Sequence, residues 1–221
     1  VRVLGRGALV RALVRAARAD GLDVDLLVGY RSMSLKESLF IRNQSEDLIF
    51  GTFNDSLDRF YTNNDFNGGQ IGLRATGYCG NWFAAVTGKV AFGPTRSEVT
   101  VNGVTTQTAI IPVPTGIFPS GVFAQPSNIG TQTQIEWSAV SELNLRAGYD
   151  AFGCLRAFVG VDLLCWNSVA RPGDQIDRAL NLTQSPVFGG GIPIGQRSPT
   201  PRFQPSDFFA QGLSAGIELR Y

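Results

Sequence analysis

The chain has 221 residues, enough for one large β domain or two small ones with a sizeable core. A net charge of +1 provides no basic field of the kind nucleic-acid binders use, and no apolar run reaches the roughly 18–20 residues of a membrane-spanning helix. With 0 His, the usual general base, the usual zinc ligand and the Ser-His-Asp triad are all missing. The 26 Gly and 15 Phe, with a single Met, suit a barrel wall in which oily and polar residues alternate.

Residues 1–21 are rich in Arg, Ala, Leu and Val and nearly free of acids. From Ala8 to Ala19 a helical period sets Arg11, Arg15 and Arg18 against Leu9, Val10, Leu13, Val14 and Ala17, so an amphipathic surface helix or a disordered segment is expected. Arg11 and Arg15 break the apolar stretch a secretory signal would need, and Gly21 ends the segment. The first strand is predicted over Val24 to Arg31, with Val24, Leu26, Val28 and Tyr30 on one face. Residues 34–57 read as a polar loop holding a short strand at Ser38 to Arg42.

Asp58 to Gly77 is a long β region in which Ile71, Leu73 and Ala75 oppose Gln70, Arg74 and Thr76, with a bulge or bend at Asn67-Gly68-Gly69. A tight turn at Tyr78-Cys79-Gly80-Asn81 leads into Trp82 to Phe92, which points Trp82, Ala84, Val86, Val90 and Phe92 one way and Thr87 and Lys89 the other. Residues 93–132 read as a second long loop, with Asn102-Gly103 as a two-residue hairpin signal.

Ile135 to Tyr149 carries the pattern most plainly. Its odd positions run Ile, Trp, Ala, Ser, Leu, Leu, Ala, Tyr, while Glu136, Glu142 and Arg146 fall on the even face. A membrane-crossing strand needs about 9–11 residues against a globular mean of roughly 5–6, and Trp137 and Tyr149 fall where an aromatic girdle would. After a turn at Asp150 to Gly153, Leu155 to Val169 aligns Leu155, Ala157, Val159, Val161, Leu163 and Val169 opposite Arg156, Gly160, Asp162 and Ser168. Residues 170–205 form the longest irregular stretch, and Phe209 to Tyr221 closes the chain as a last amphipathic strand.

Tight turns at 78–81 and 150–153 alternate with long connections at 34–57, 93–132 and 170–205, the asymmetry of an outer-membrane barrel. The predicted fold is an all-β, antiparallel up-and-down transmembrane β-barrel, or the C-terminal portion of a larger one, with residues 22–221 as its wall. A soluble sandwich shares the alternation, but strand length and mixed charges on the polar face favour the membrane. Those charges, Arg74, Lys89, Glu136, Glu142, Arg146, Arg156, Asp162, Glu218 and Arg220, are the lumen-facing pore candidates. The row Leu213, Ala215, Ile217, Leu219 and Tyr221 is similar to the C-terminal signal read by the outer-membrane insertion machinery, where Phe is the usual last residue.

The blocks VDLLVGYRSMSLKESLFI (24–41), DRFYTNNDFNGGQIGLRATGYCGNWFAAVTGKVAFG (58–93), PSNIG (126–130), AVSELNLRAGY (139–149), LRAFVGVDLLCWNSVARPGDQID (155–177) and DFFAQGLSAGIELRY (207–221) resemble a planctomycete outer-membrane β-barrel family, one of the "putative beta-barrel porin" families. The resemblance covers nearly everything after residue 22. It implies a β-barrel in a bacterial outer membrane, with membrane lipid and the insertion machinery as partners, and carries no established substrate. Members carry further strands and usually a signal peptide upstream of the first strand here. Six confident strands fall short of the 8 of a closed single-chain barrel, so either residues 34–57 and 93–131 supply the missing pair or the chain is part of a larger barrel.

Other motifs carry less. Asp174 and Asp177 in RPGDQID lack the full calcium-loop pattern and read as a capped turn. Gly189-Gly190-Gly191 lacks the Lys-Ser/Thr of a phosphate loop. Carboxylate pairs such as Asp162 with Glu142, or Glu218 with Glu136, are better explained as lumen charges beside arginines than as a glycosidase pair. Cys79, Cys154 and Cys165 have no metal spacing and read as small buried thiols, with a Cys79–Cys154 disulfide as the alternative. No cofactor or metal and no enzymatic activity is expected. The function expected is porin-like passage of small solutes, the alternatives being a structural or adhesive barrel with a plugged lumen and a soluble β-sandwich binding domain. A homo-oligomer is compatible with each.

Overall fold

The computed structural model describes residues 2–4, 12–19, 21–47, 51–108, 115–151, 154–189, 192 and 194–219. Nine strands make one antiparallel sheet among them: β1 (Arg2–Leu4), β2 (Ala12–Ala19), β3 (Leu22–Asp47), β4 (Thr52–Cys79), β5 (Trp82–Thr108), β6 (Gly116–Phe118), β7 (Gly130–Ala151), β8 (Leu155–Ala170) and β9 (Pro205–Leu219). The order is β1-β3-β4-β5-β7-β8-β9, with β2 also on the outer edge of β3 and β6 laid back on β5. The sheet curls like half a barrel, so that β8 crosses to face β4 and β5. The Asn64 side chain on β4 bonds both the N–H and the C=O of Ala170, and the Trp166 indole on β8 reaches Thr95 on β5.

The strands are much longer than predicted, reaching 28 residues in β4. Residues 34–57 are not a loop: β3 and β4 pair without a break from Leu22↔Gly77 to Asp47↔Thr52. This stretch looks polar because the faces exchange roles. Below Arg31 the outward residues are apolar and the inward ones mixed; above it Ser34, Lys36 and Ser38 point out while Met33 and Leu35 are buried inside.

Residues 93–108 likewise belong to β5. The Asn102-Gly103 hairpin signal is overruled, since Asn102 pairs with Arg59 and Gly103 with Asp58 in mid-strand. Gly103 is there for clearance: a Cβ on it would lie 2.4 Å from the Ala124 carbonyl oxygen of the loop packed against it. At Asn67-Gly68-Gly69 no bulge forms, and β4 keeps its register with β3 through all three residues. Pairing with β5 lapses between Phe66↔Thr95 and Gly69↔Phe92 while the register is kept. Pro94 lacks an N–H there, and a Cβ on Gly93 would lie 2.2 Å from the Asn67 carbonyl oxygen.

Three further expectations are corrected. Residues 2–4 and 12–19 are strand, since β1 and β2 follow the edge of β3, and no helix forms over 12–19. Val169, predicted on the outer face of β8, is fully buried on the inner one. A register shift between Trp166 and Val169, with Ser168 at φ 55°, turns the alternation over. The cysteines are neither buried nor bonded: all three are exposed free thiols. The turn after Cys79 is as tight as predicted, with β5 starting at Trp82, and 170–205 holds no strand before Pro205 among its described residues. Part of the 150–153 turn, two of the three glycines at 189–191, Arg220 and Tyr221 lie outside the described residues.

Candidate functional site: the concave face of the sheet

An oily belt rings the convex face. On β5 it runs from Trp82 to Phe92, whose alternate residues Trp82, Val86, Val90 and Phe92 are exposed. Ten residue steps of about 3.4 Å, tilted by about 40°, give a height of about 26 Å, which matches the roughly 25 Å apolar band of membrane barrels. Aromatic pairs mark both margins: Trp82 against Tyr149 at 5.0 Å, and Phe92 stacked on Trp137 at 5.1 Å. Tyr30 sits at the second margin with its hydroxyl on the Asn67 side chain, 2.8 Å away. Leu213, Ile217 and Leu219 continue the belt on β9, with Leu213 88 % exposed. Beyond Phe92, β5 continues for another 16 residues to Thr108, a projection of about 40 Å past the belt on the same geometry.

The register stacks the concave face in rungs. One reads Asp25, Arg74, Thr87, Asn144, Asp162, Gly212; the next reads Leu27, Gly72, Lys89, Glu142, Leu164, Ala210; a third reads Gly29, Gln70, Ala91, Val140, Trp166, Phe208. The wall therefore changes from charged to apolar within about 14 Å, two rung spacings of roughly 6.8 Å. The charged part bounds a cavity of about 870 Å³ toward the short-turn end. Seven predicted pore residues line it: Arg74, Lys89, Glu142, Arg146, Arg156, Asp162 and Glu218. Glu136 stands apart, nearer the projecting half, with the Gln134 amide donating to it at 2.7 Å.

At the cavity floor, Lys89 Nζ and an Arg31 Nη lie 2.6 and 2.7 Å from the two oxygens of Glu142, all three side chains less than a fifth exposed. Asn144 donates to Asp162 at 2.6 Å. Arg156 forks onto Asp150 and lies 4.0 Å from the Phe83 ring centre, while Arg146 lies 5.2 Å from that of Phe158. Arg74 has the Thr87 hydroxyl as acceptor and no carboxylate within 4 Å among the described residues. Most lumen charge is thus taken up by near neighbours, as desolvation inside a narrow wall requires.

Above the floor an apolar cluster packs across the concave face. Leu35, Phe66, Ala91, Val140, Trp166 and Val169 are fully buried in one cluster, with Met33 and Phe208 at its margin. Phe66 meets Trp166 edge to face at 6.0 Å. A second cluster in the projecting half packs Phe60, Val99 and Val101 against Ala124, Phe123 and Ile129 of the loop after β6. Buried polar groups pin the loops. Asp58 accepts the consecutive N–H groups of Val122, Phe123 and Ala124, and Arg171 bridges Glu37 at 3.0 Å. Farther out, Asp177 accepts the N–H of Thr200, its hydroxyl and the N–H of Ala179, and those backbone donors hold its carboxyl below the ordinary range. This is the capped turn expected of RPGDQID, and no metal-binding group of acids and thiols occurs among the described residues.

The sequence reading missed Arg31, Trp166, Phe66 and Asp58. Arg31 ends the first predicted strand on the face opposite Tyr30, and nothing in the sequence links it to Glu142 three strands away. For the buried cluster a signal exists: the alternation of Met33 and Leu35 continues that of the first strand with its apolar side reversed.

A long antiparallel sheet, oily outside over one membrane's height and charged within, is the wall of a β-barrel. The chain belongs to the family described as putative beta barrel porin-7 (BBP7), which matches residues 1–221. No curated protein and no solved structure matches it.

Proposed function

We propose that this chain forms the wall of an outer-membrane β-barrel that is sealed in mid-lumen, a non-enzymatic protein whose work is done by its projecting half. The observation that carries the reading is the fully buried cluster of Leu35, Phe66 and Trp166, drawn from β3, β4 and β8 across the concave face. An open channel would leave these groups in water, at a cost of about 1.5–3 kcal/mol for each large apolar side chain. The family and the belt support a membrane location, with outer-membrane lipid against Val86, Leu145 and Leu213. The row Leu213, Ile217, Leu219 and Tyr221 is proposed to engage the insertion machinery.

A second reading, passage of small solutes, is favoured by the charged cavity of about 870 Å³, and requires that the cluster above it part. Conductance of the purified protein in a planar bilayer separates the two. A sealed barrel gives no steady current, and a sustained ohmic current would refute the plug and support solute passage.

A further inference from the structure

The outer face of the projecting half carries an aromatic pair, Phe40 on β3 and Tyr61 on β4, with ring centres 5.6 Å apart at 85°. Phe40 props Tyr61 edge-on, so the Tyr61 ring stays partly exposed although nothing in its own rung is apolar: it pairs with Ser38 on one side and Thr100 on the other. The small side chains beside the large ring leave a hollow of about 370 Å³, rimmed by Lys36, Ser38, Asn63, Glu98 and Thr100. That size falls within the roughly 300–1,000 Å³ of small-molecule sites. Tyr61 lies opposite Thr100, eight residues past Phe92, which places the hollow about 20 Å beyond the oily belt, clear of lipid tails.

We infer that this hollow is a binding site for an uncharged sugar ring, of the kind displayed by polysaccharides on an outer-membrane surface. A pyranose has a C–H face that lies against an aromatic ring and an equatorial rim of hydroxyls that both donate and accept. The hollow supplies the matching set: the Tyr61 ring as platform, the Lys36 ammonium as donor, the Glu98 carboxylate as acceptor, and hydroxyl and amide groups between them. Charges of both signs stand at the rim, Glu98 with the Arg96 guanidinium 3.9 Å away and Lys36 on the other side of Asn63, so no single sign of charge defines the ligand. A membrane lipid is excluded by the height above the belt.

The site rests on the placement of the belt, but binding is measured in detergent solution and so tests the site without testing the membrane location. The purified protein is applied to an array of neutral and charged oligosaccharides, and its best ligand is titrated against variants. A neutral oligosaccharide should bind. Tyr61→Ala should weaken it about tenfold, the worth of one aromatic contact, while Tyr61→Phe keeps the platform and most of the affinity. Since Tyr61 is on the outer surface, each variant is first checked for unchanged heat-modifiable gel mobility; if Tyr61→Ala loses that shift, Lys36→Ala and Glu98→Ala replace it, each with an expected loss of at least threefold, the scale of one charge-assisted hydrogen bond. Failure of every glycan to bind, binding of charged glycans alone, or equal binding by the wild type and the variants would overturn the proposal.

Discussion

The belt predicts that one substitution has two very different costs depending on how far along a strand it is made. Val86 and Thr100 both point outward from β5, 14 residues apart, in the same pairing with β4 and β7. Val86 lies four residues inside the Trp82 margin, about 10 Å deep in a belt of about 26 Å, and so near the bilayer midplane. Thr100 lies beyond the Phe92 margin in the projecting half. An Arg facing lipid at the midplane costs about 2–4 kcal/mol and next to nothing outside it. Val86→Arg should therefore lower the folded-to-unfolded ratio by roughly 30- to 900-fold, and Thr100→Arg by less than about twofold. Both are read by denaturant titration in lipid bilayers, following the unfolding of the sheet. Equal costs at the two positions would refute the membrane assignment, because a solvent-exposed face treats an arginine alike wherever it stands.

Two further outcomes follow from the lumen and the loops. Trp166→Ala removes a fully buried indole and its edge contact with Phe66, so stability should fall by about 3–5 kcal/mol in the same titration, and a conductance absent from the wild type should appear as the plug loosens. For Asp177 the sign follows from a carboxyl held below its ordinary pKa by bonds made only in the folded loop. Its contribution is complete above the ordinary aspartate value of about 3.9 and is lost as pH falls through the lower folded value. Hydrogen-exchange protection at the Thr200 and Ala179 amides should then hold from neutral pH down to about 4 and drop below it; loss between pH 7 and 5 would contradict the pinning.

Several elements were legible from residue order because strand chemistry is local. The alternation in Ile135 to Tyr149 assigned Leu143 and Leu145 to one face and Glu142 and Arg146 to the other without knowledge of any neighbour, and the faces are so placed. The tight turn after Cys79 and the belt residues of β5 and β9 follow by the same reasoning. The Asn102-Gly103 signal misled because a dipeptide suited to turning is also suited to letting a loop approach, and only the loop's position tells which. Val169 misled because one extra residue at a bulge inverts every face beyond it, and nothing in Asn167 or Ser168 announces the insertion.

What the sequence determined by itself is a two-faced sheet with charges on one side, since that depends only on the period of two along each strand. What the tertiary structure decided is which charges meet and where the lumen ends. Glu142 joins Lys89 and Arg31 through a register that spans four strands, and Met33, Leu35, Phe66 and Trp166 become one buried cluster only once the sheet curls to bring β8 against β4 and β5. An apolar residue that faces lipid and one that faces a sealed core obey the same alternation along the chain. Curvature, a property of the whole sheet, is what distinguishes them.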